Sequence, residues 1–373
     1  MPRKYMPQLD GLRFFAVAGV MAGHWLTYPA MSDAGPILAT CGVDLFFVLS
    51  GFLITQILIQ SKINAEGSSK FILRQFYIRR FLRIFPLYYL VLIVGWLGHV
   101  PSGNTNFAWF LTYTTNIVCA IKHGECGYFT HLWSLAVEEQ FYIFFPFVVL
   151  LIPTKRLCPA FFIMIALGLA SRAAACLLFR QVPDQVWVTY VSTPCCLDAF
   201  GIGALLAYLK LFDPEALKRS LTRYLPFVTA AVTALGMYFV VTHLERFNLL
   251  LRTFYRFGWC IFFFWVIGKG SLSAYNGVAR LILENRVIVY LGKISYGLYV
   301  YHHFAPYAFA RFHFDATQHS LIFNAALYFV ASVGVSAASW QIFEKPINEL
   351  KKYFTYTAAE THYSYGRSKQ QIY

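Results

Sequence analysis

Long apolar segments, repeated along the whole chain, constrain its fold more than any other feature of the sequence. A helix needs about 20 mostly apolar residues to cross a bilayer. Ten segments of this chain approach that length, which predicts an all-α integral membrane protein, a bundle of about ten transmembrane helices. The predicted spans are 13–31, 41–59, 84–100, 132–152, 157–179, 191–211, 224–243, 250–268, 287–309 and 320–343.

The composition supports a lipid environment for these segments. Hydrophobic residues make up 58% of the 373-residue chain and charged residues only 13%, whereas soluble domains carry about 25% charged residues. The first span is not typical of a cleaved signal peptide, because Arg13 and His24 interrupt it and no small-residue cleavage site follows. We therefore expect this span to be retained.

Basic residues are concentrated in alternate connections between the apolar segments, which predicts that both termini are cytoplasmic. The net charge of +14 is thus a topology signal, and we do not expect a nucleic-acid partner. Arg246, Arg252 and Arg256 form an exception on the predicted outer side, where they could serve an anionic ligand. The short apolar stretch 107–121 is predicted to be interfacial or re-entrant.

The chain shows no internal sequence repeat and no appended soluble domain. Residues 1–352 are predicted to form one transmembrane domain, and residues 353–373 a polar cytoplasmic tail without fixed structure. The sequence does not indicate an oligomeric state.

Arg13 and His24 are the two ionisable residues of the first span, and such residues are costly inside a membrane. Eleven helical residues separate them by about 16 Å along the axis and leave them near one face. The alternatives are that Arg13 snorkels to the headgroups and that His24 is a hydrogen-bonded packing residue. The functional interpretation is that His24 is a catalytic base toward the outer side of the membrane.

Asp44 lies near the predicted outer start of the second span, at about the depth of His24. A carboxylate beside an imidazole fixes its tautomer and stabilises the imidazolium, which makes the imidazole a general base for a hydroxyl group. We therefore predict that Asp44 orients His24. The alternative is a carboxylate favoured by the positive end of the helix dipole.

Arg80 and Arg83 are three residues apart and share one helical face at the predicted cytoplasmic mouth. Guanidinium groups bind phosphates through paired hydrogen bonds. Together with Arg13 they are predicted to bind a phosphate-bearing acyl donor. The alternative is a topology signal in contact with anionic lipid.

Glu138 and Glu139 are adjacent carboxylates at the start of the fourth span, and Tyr142 shares a face with Glu138. Two neighbouring carboxylates do not both face lipid without a large cost. Glu138 is therefore a catalytic candidate that could meet His24 and Asp44, with Glu139 and Tyr142 in support. The alternative places Glu138 in the capping of the helix start.

Further polar residues lie in the last two spans. The pair His302-His303 is interpreted either as an interfacial anchor or as a polar group on the outer side, and His302 is a supporting candidate. Glu344 lies at the predicted cytoplasmic end and could pair with Arg80 or Arg83.

The eight cysteines include no CxxC pair, so a structural zinc site is not expected. Cys119 and Cys126 fall in the same predicted outer loop, where an oxidising compartment would permit a disulfide. No ligand spacing indicates a metal, and we expect no bound cofactor.

Six short motifs, in order along the chain, resemble the acyltransferase-3 family of bacterial membrane O-acyltransferases. The resemblance extends from residue 5 to about 350. The similar segments are Leu9-Asp10-Gly11-Leu12-Arg13 with His24, Gly42 to Ile54, Arg80-Phe81-Leu82-Arg83, Trp133 to Tyr142, Ile294 to Tyr299, and Glu344-Lys345-Pro346.

The resemblance implies transfer of an acetyl or other acyl group from cytosolic acyl-CoA to an extracytoplasmic carbohydrate, at the bacterial cytoplasmic membrane. The family's functional residues would map onto Arg13, His24, Arg80 and Arg83. Without a fused esterase-like domain, the chain is similar to members that modify exopolysaccharide, O-antigen or lipid-linked glycans. Two alternatives stay open: acylation of a macrolide, and a transporter or flippase for a glycolipid or anion.

Overall fold

The computed structural model describes residues 5–26, 34–64, 68–102, 106–124, 126–179, 185–242, 249–313 and 315–356, and these residues form helices and connections without a strand. The α-helices are α1 (Pro7–Trp25), α2 (Ala34–Ile63), α3 (Ser69–Leu97), α4 (Ala108–Leu111), α5 (Thr115–Ile121), α6 (Trp133–Leu151), α7 (Leu157–Leu178), α8 (Gln185–Val191), α9 (Leu197–Phe212), α10 (Pro214–Arg223), α11 (Leu225–Thr242), α12 (Leu249–Ser271), α13 (Gly277–Leu283), α14 (Arg286–Lys293), α15 (Ser295–Tyr301), α16 (Ala305–Arg311), α17 (Leu321–Ser339) and α18 (Lys345–Glu349). Shorter 3-10 turns join several of them.

Within the described residues, six helical segments are long and apolar enough to cross a membrane. These segments are Leu38–Ile63, Ser69–Leu97, Gly127–Leu151, Thr154–Leu178, Thr193–Phe212 and Leu321–Tyr353. The all-α, multi-pass architecture is therefore confirmed, while the count of ten spans and the N-in/C-in orientation stay predictions. Most of the predicted tail, residues 357–373, lies outside the described residues.

The predicted span 287–309 is wrong as a single helix. It is divided into α14, α15, a 3-10 turn at His302–Phe304 and α16. Pro306 stands in the first turn of α16, where its missing N–H costs nothing. The stretch 107–121 forms only α4 and α5, each too short to cross a bilayer.

Polar side chains mark where several helices begin. Ser68 accepts a hydrogen bond from the backbone N–H of Phe71 at the start of α3, and Ser320 does the same for Phe323 at the start of α17. Asp213 caps α10, whose first residue is a proline. These caps satisfy N–H groups that have no partner within the helix.

The central helices pack at backbone contact because glycines remove the side chains between them. Gly42 of α2 lies directly against the backbone of Ala16 and Val20 in α1. Gly203 of α9 meets the backbone of Val48 in α2 in the same way. The hydrophobic effect does not drive helices together within a membrane, so they rely on such close packing. Helices α1, α2 and α9 therefore form the closely packed centre of the bundle.

The last transmembrane segment leaves the α-helical pattern before it ends. Trp340–Glu344 forms a π-helical turn between α17 and α18. Beyond it, the Arg79 guanidinium donates hydrogen bonds of 2.9 Å to the backbone carbonyls of Lys351 and Phe354. The end of this segment is thereby fixed to α3.

Cys119 and Cys126 are not joined by a disulfide in the structure, and their Sγ atoms are 3.1 Å apart. Closing them into a disulfide would need an approach of roughly 1 Å. The disulfide suggested by their shared loop therefore stays a prediction.

We expect Gly203→Ala to destabilise the protein, because the new methyl group would overlap the carbonyl of Val48 and the amide of Phe52. Overpacking of this kind costs about 1–3 kcal/mol, which thermal unfolding of purified protein in detergent would detect as a lower midpoint. Gly334→Ala in α17 is the matched control, since the added methyl would have no atom of another helix within 4 Å. Equal midpoints for the two variants would contradict the packing described here.

Candidate functional site

A cavity of about 180 Å³ lies between α1, α2, α3, α6 and α15, and we call it the arginine cavity. Three of its lining residues are arginines: Arg13, Arg80 and Arg83. Glu138 and Tyr142 complete its charged and polar wall, and the remaining lining is mostly aliphatic and aromatic. The structure thus brings together the three predicted donor-binding residues, from two helices that are far apart in sequence.

Arg80 is held by a polar relay that starts at Glu138. The Ser50 hydroxyl donates to Oε1 of Glu138 at 2.6 Å, and the Tyr142 hydroxyl donates to Ser50 Oγ at 2.8 Å. The Arg80 guanidinium lies 3.8 Å above the Tyr142 ring, at cation–π distance. Glu138 is therefore connected to the Arg80 guanidinium through Ser50 and Tyr142.

The other two arginines are placed differently. Arg13 donates to Oδ1 of Asp10 at 2.6 Å, and Asp10 also accepts from the Tyr5 hydroxyl at 2.7 Å. Arg83 lines the same cavity but forms no hydrogen bond or ion pair with any residue that the structure describes. A half-buried guanidinium with unused donors is typical of a site that binds an anion.

His24 lies at the other end of α1 in a group of four imidazoles, which we call the histidine cluster: His24, His131, His302 and His303. The Nδ1 atom of His24 is 2.8 Å from Nε2 of His302, and the His303 ring lies edge-on at 5.1 Å between ring centroids. His302 and His131 are buried, whereas the His24 side chain is exposed. Among the described residues, no group of side chains is arranged to hold a metal ion.

Tyr299 connects the arginine cavity to the histidine cluster. Its ring lines the cavity, and its hydroxyl donates to the backbone carbonyl of His131 at 2.8 Å. Its own backbone carbonyl accepts from Nδ1 of His302 at 2.6 Å. One residue of α15 therefore touches both groups.

The prediction that Asp44 orients His24 is wrong. Oδ1 of Asp44 forms an ion pair with Nε of Arg256 at 2.6 Å, and both side chains are almost fully buried. The described hydrogen-bond partner of His24 Nδ1 is His302. Arg256 is likewise unavailable to an outer anionic ligand, while Arg246 and the Arg252 side chain lie outside the described residues.

Helix register explains this correction. The sequence places the start of the second span at Cys41, but α2 already begins at Ala34. Gly42 packs against Ala16 and Val20 of the antiparallel α1. At a rise of 1.5 Å per residue, Asp44 therefore lies roughly 12 Å from the level of His24, toward the N-terminal end of α1.

The remaining acidic candidates also depart from their predicted partners. Glu138 belongs to the arginine cavity and not to an assembly with His24 and Asp44. Glu139 is buried beside it, and its Oε1 has no hydrogen-bond partner within the described residues. Glu344 accepts from Ser339 Oγ at 3.0 Å and, in the described chain, makes no ion pair with either predicted arginine.

Sequence reasoning missed the roles of Ser50, His131 and Tyr299. Ser50 and Tyr299 lie inside the motifs that resemble the family, and His131 lies two residues before one of them, but nothing in the spacing indicates that these segments meet. The second buried ion pair was missed as well: Arg172 donates from one Nη to both oxygens of Asp198 at 2.7 and 2.8 Å. Position within an apolar segment was the only available signal for Arg172.

Comparison with known proteins gives a match to the acyltransferase-3 family model, described as an acyltransferase domain, over residues 6–341. "Putative O-acetyltransferase SAS0844" of Staphylococcus aureus strain MSSA476 is 31% identical over 336 residues, covering 83% of this chain and 52% of that protein. The peptidoglycan O-acetyltransferase OatA of Listeria monocytogenes is 28% identical, covering 93% of this chain and 56% of that protein.

The O-acetyltransferase OatA of Staphylococcus aureus strain NCTC 8325 is 26% identical and covers 80% of this chain. The chain thus spans about half the length of the curated relatives it matches. No solved structure shows significant similarity to it.

We expect Asp44→Asn to lower stability, because Arg256 would be left as a buried charge without its counter-ion. Loss of one partner of a buried pair costs about 3–5 kcal/mol. The midpoint of thermal unfolding in detergent measures the effect. Asp213→Asn is the matched control, since Asp213 is an exposed helix cap and Asn caps equally well. A wild-type midpoint for Asp44→Asn would contradict a structural role for the ion pair.

Proposed function

This chain belongs to the acyltransferase-3 family, and from that premise we propose that it moves an acetyl or other short acyl group from acyl-CoA to a hydroxyl of an extracytoplasmic carbohydrate. The observation that carries the proposal is the position of Arg13 and His24 on one helix. Arg13 faces the arginine cavity, and His24 is exposed at the histidine cluster. A donor site and a base are thereby set at a fixed spacing.

The arginine cavity fits the donor because acyl-CoA carries phosphates. Guanidinium groups bind phosphate oxygens through charge-assisted hydrogen bonds. Arg83 has donors that no described side chain uses, and Arg80 is oriented by Tyr142. The apolar part of the lining, which includes Leu53, suits a pantetheine and acyl chain.

His24 supplies the base for the transfer. Its Nε2 takes the proton of the carbohydrate hydroxyl while the hydroxyl oxygen attacks the thioester carbonyl, so that a C–O bond forms and the C–S bond breaks. The departing CoA thiolate then receives that proton from the His24 imidazolium. The products are the O-acyl carbohydrate and free CoA.

The acceptor class rests on the relatives. Two of them are named O-acetyltransferase OatA, and one of these is named for peptidoglycan. Because this chain spans only about half of each, the carbohydrate acceptor is part of our proposal. We propose a bacterial cytoplasmic-membrane location, with the arginine cavity opening to the cytoplasm. Acceptor-dependent release of free CoA tests the reaction against a transporter, which would consume no thioester.

We expect Arg80→Ala and Arg83→Ala each to weaken CoA binding by about tenfold to a hundredfold, the loss of a hydrogen bond between charged groups. Arg80→Lys should also be impaired, because Lys lacks the forked guanidinium. Calorimetric titration of CoA into purified protein in nanodiscs measures the affinity. Arg74→Ala is the matched control, since Arg74 is exposed on the same helix. Wild-type affinity in the Arg80→Ala/Arg83→Ala double variant would refute the donor site.

We expect His24→Ala to lower the acylation rate by about 10²–10⁴-fold, the usual contribution of a general base, without loss of CoA affinity. Acceptor-dependent CoA release from acetyl-CoA measures the rate, with soluble peptidoglycan fragments as acceptor. His319→Ala, at an exposed histidine, controls for removal of an imidazole. Near wild-type acylation by folded His24→Ala protein would overturn the mechanism.

A further inference from the structure

The His24 and His302 rings meet edge to edge. Their ring planes are almost parallel, 6° apart, with centroids separated by 5.0 Å. The facing nitrogens, Nδ1 of His24 and Nε2 of His302, are only 2.8 Å apart. Because the nitrogens are far closer than the centroids, the contact is an in-plane hydrogen bond and not a face-to-face stack.

A backbone carbonyl fixes which nitrogen of His302 carries the proton. Nδ1 of His302 lies 2.6 Å from the carbonyl oxygen of Tyr299. A carbonyl only accepts hydrogen bonds, so this nitrogen is the N–H. Tyr299 is in the last turn of α15, where carbonyls lack helical partners. Neutral His302 therefore presents the lone pair of Nε2 to His24.

The tautomer of His302 in turn determines the tautomer of His24. Since His302 Nε2 accepts, Nδ1 of His24 must donate, and the lone pair of neutral His24 then resides on Nε2. We propose that His302 is a positioning residue that keeps His24 in this tautomer, the role first assigned to Asp44. The inference rests on the proposed function, because it concerns the base of that reaction.

This arrangement serves both states of the catalytic cycle. When His24 Nε2 accepts the hydroxyl proton, the imidazolium still donates from Nδ1 to His302, so no ring has to turn. His302 is held in place by burial and by Trp25, whose Nε1–H donates to the His302 carbonyl at 3.3 Å. A fixed acceptor avoids reorganisation during the reaction.

The other two imidazoles of the cluster have their own acceptors. His131 donates from Nε2 to the carbonyl of Val300 at 3.1 Å. His303 donates from Nδ1 to the carbonyl of Tyr128 at 2.9 Å. Both contact the cluster through their rings, and neither of these hydrogen bonds goes to His24 or His302. His302 is therefore the described histidine that sets the His24 tautomer.

Nitrogen NMR of the full-length protein in nanodiscs tests the tautomer without any substrate. The protein is labelled with ¹⁵N-histidine, and the His24 signals are identified by their absence in His24→Gln. We expect a protonated Nδ1 and a bare Nε2 in the wild type at pH 8. In His302→Ala, we expect the population with protonated Nε2 to rise. A wild-type His24 that carries its proton on Nε2 would overturn the proposal.

Turnover of acetyl-CoA with soluble peptidoglycan fragments tests the consequence. We expect His302→Ala to lower kcat at least about tenfold, while KM for acetyl-CoA stays within about threefold. His302→Gln should recover most of kcat, because its amide oxygen accepts from His24 Nδ1. His319→Gln, at an exposed histidine outside the cluster, is the control and should stay within about threefold of wild type.

The results separate this inference from the proposed function. Wild-type kcat in folded His302→Ala overturns the positioning role, and so does equal loss of kcat in His302→Gln and His302→Ala. If His302→Ala does not fold, the His302→Gln rate and the wild-type tautomer decide alone. If His24→Ala stays active while the wild-type tautomer is as expected, the proposed mechanism fails and the hydrogen bond remains.

Discussion

The rigid spacing along α1 is the constraint on which the rest of the structure depends. Eleven residues of uninterrupted helix hold Arg13 and His24 about 16 Å apart. The helix cannot slide, because Gly42 of α2 lies against its backbone on one side and Gly292 of α14 lies against the backbone of Asp10 on another. The arginine cavity and the histidine cluster therefore each contain a residue from one end of the same helix.

Buried charge is divided between two uses. Asp44–Arg256 and Arg172–Asp198 are paired in the interior, where each partner offsets the desolvation of the other and fixes the packing of α2, α7, α9 and α12. The arginine cavity has the opposite character, because its guanidinium groups outnumber the carboxylates that line it. At the end of α15, backbone carbonyls of the last helical turn accept hydrogen bonds from imidazoles, which satisfies both polar groups.

Much of this organisation could be predicted from the sequence. Apolar segments indicate a helical membrane protein, and charge within or next to those segments singles out Arg13, Arg80 and Arg83, which line one cavity. The partner of His24 could not be predicted, because α2 extends seven residues beyond the apparent start of its apolar run and the depth of Asp44 changes with it. The helix break at His302 could not be predicted for a different reason. Hydropathy indicates which segments are buried, and it does not indicate where the backbone hydrogen bonding of a helix changes.

The π-helical turn at Trp340–Glu344 has a consequence for how insertions and deletions act near the end of this domain. A π turn accommodates one residue more than an α turn, so it absorbs an extra residue without turning the following helix by the full ~100° that one residue contributes in an α-helix. Removing one residue from this turn would leave a continuous α-helix and rotate the subsequent segment only slightly, whereas removing one residue from α17 would rotate that segment by about 100°. After a deletion in α17, the carbonyls of Lys351 and Phe354 would turn away from Arg79, their anchor on α3. The π turn is therefore a place where this segment can lose one residue and still attach to the bundle.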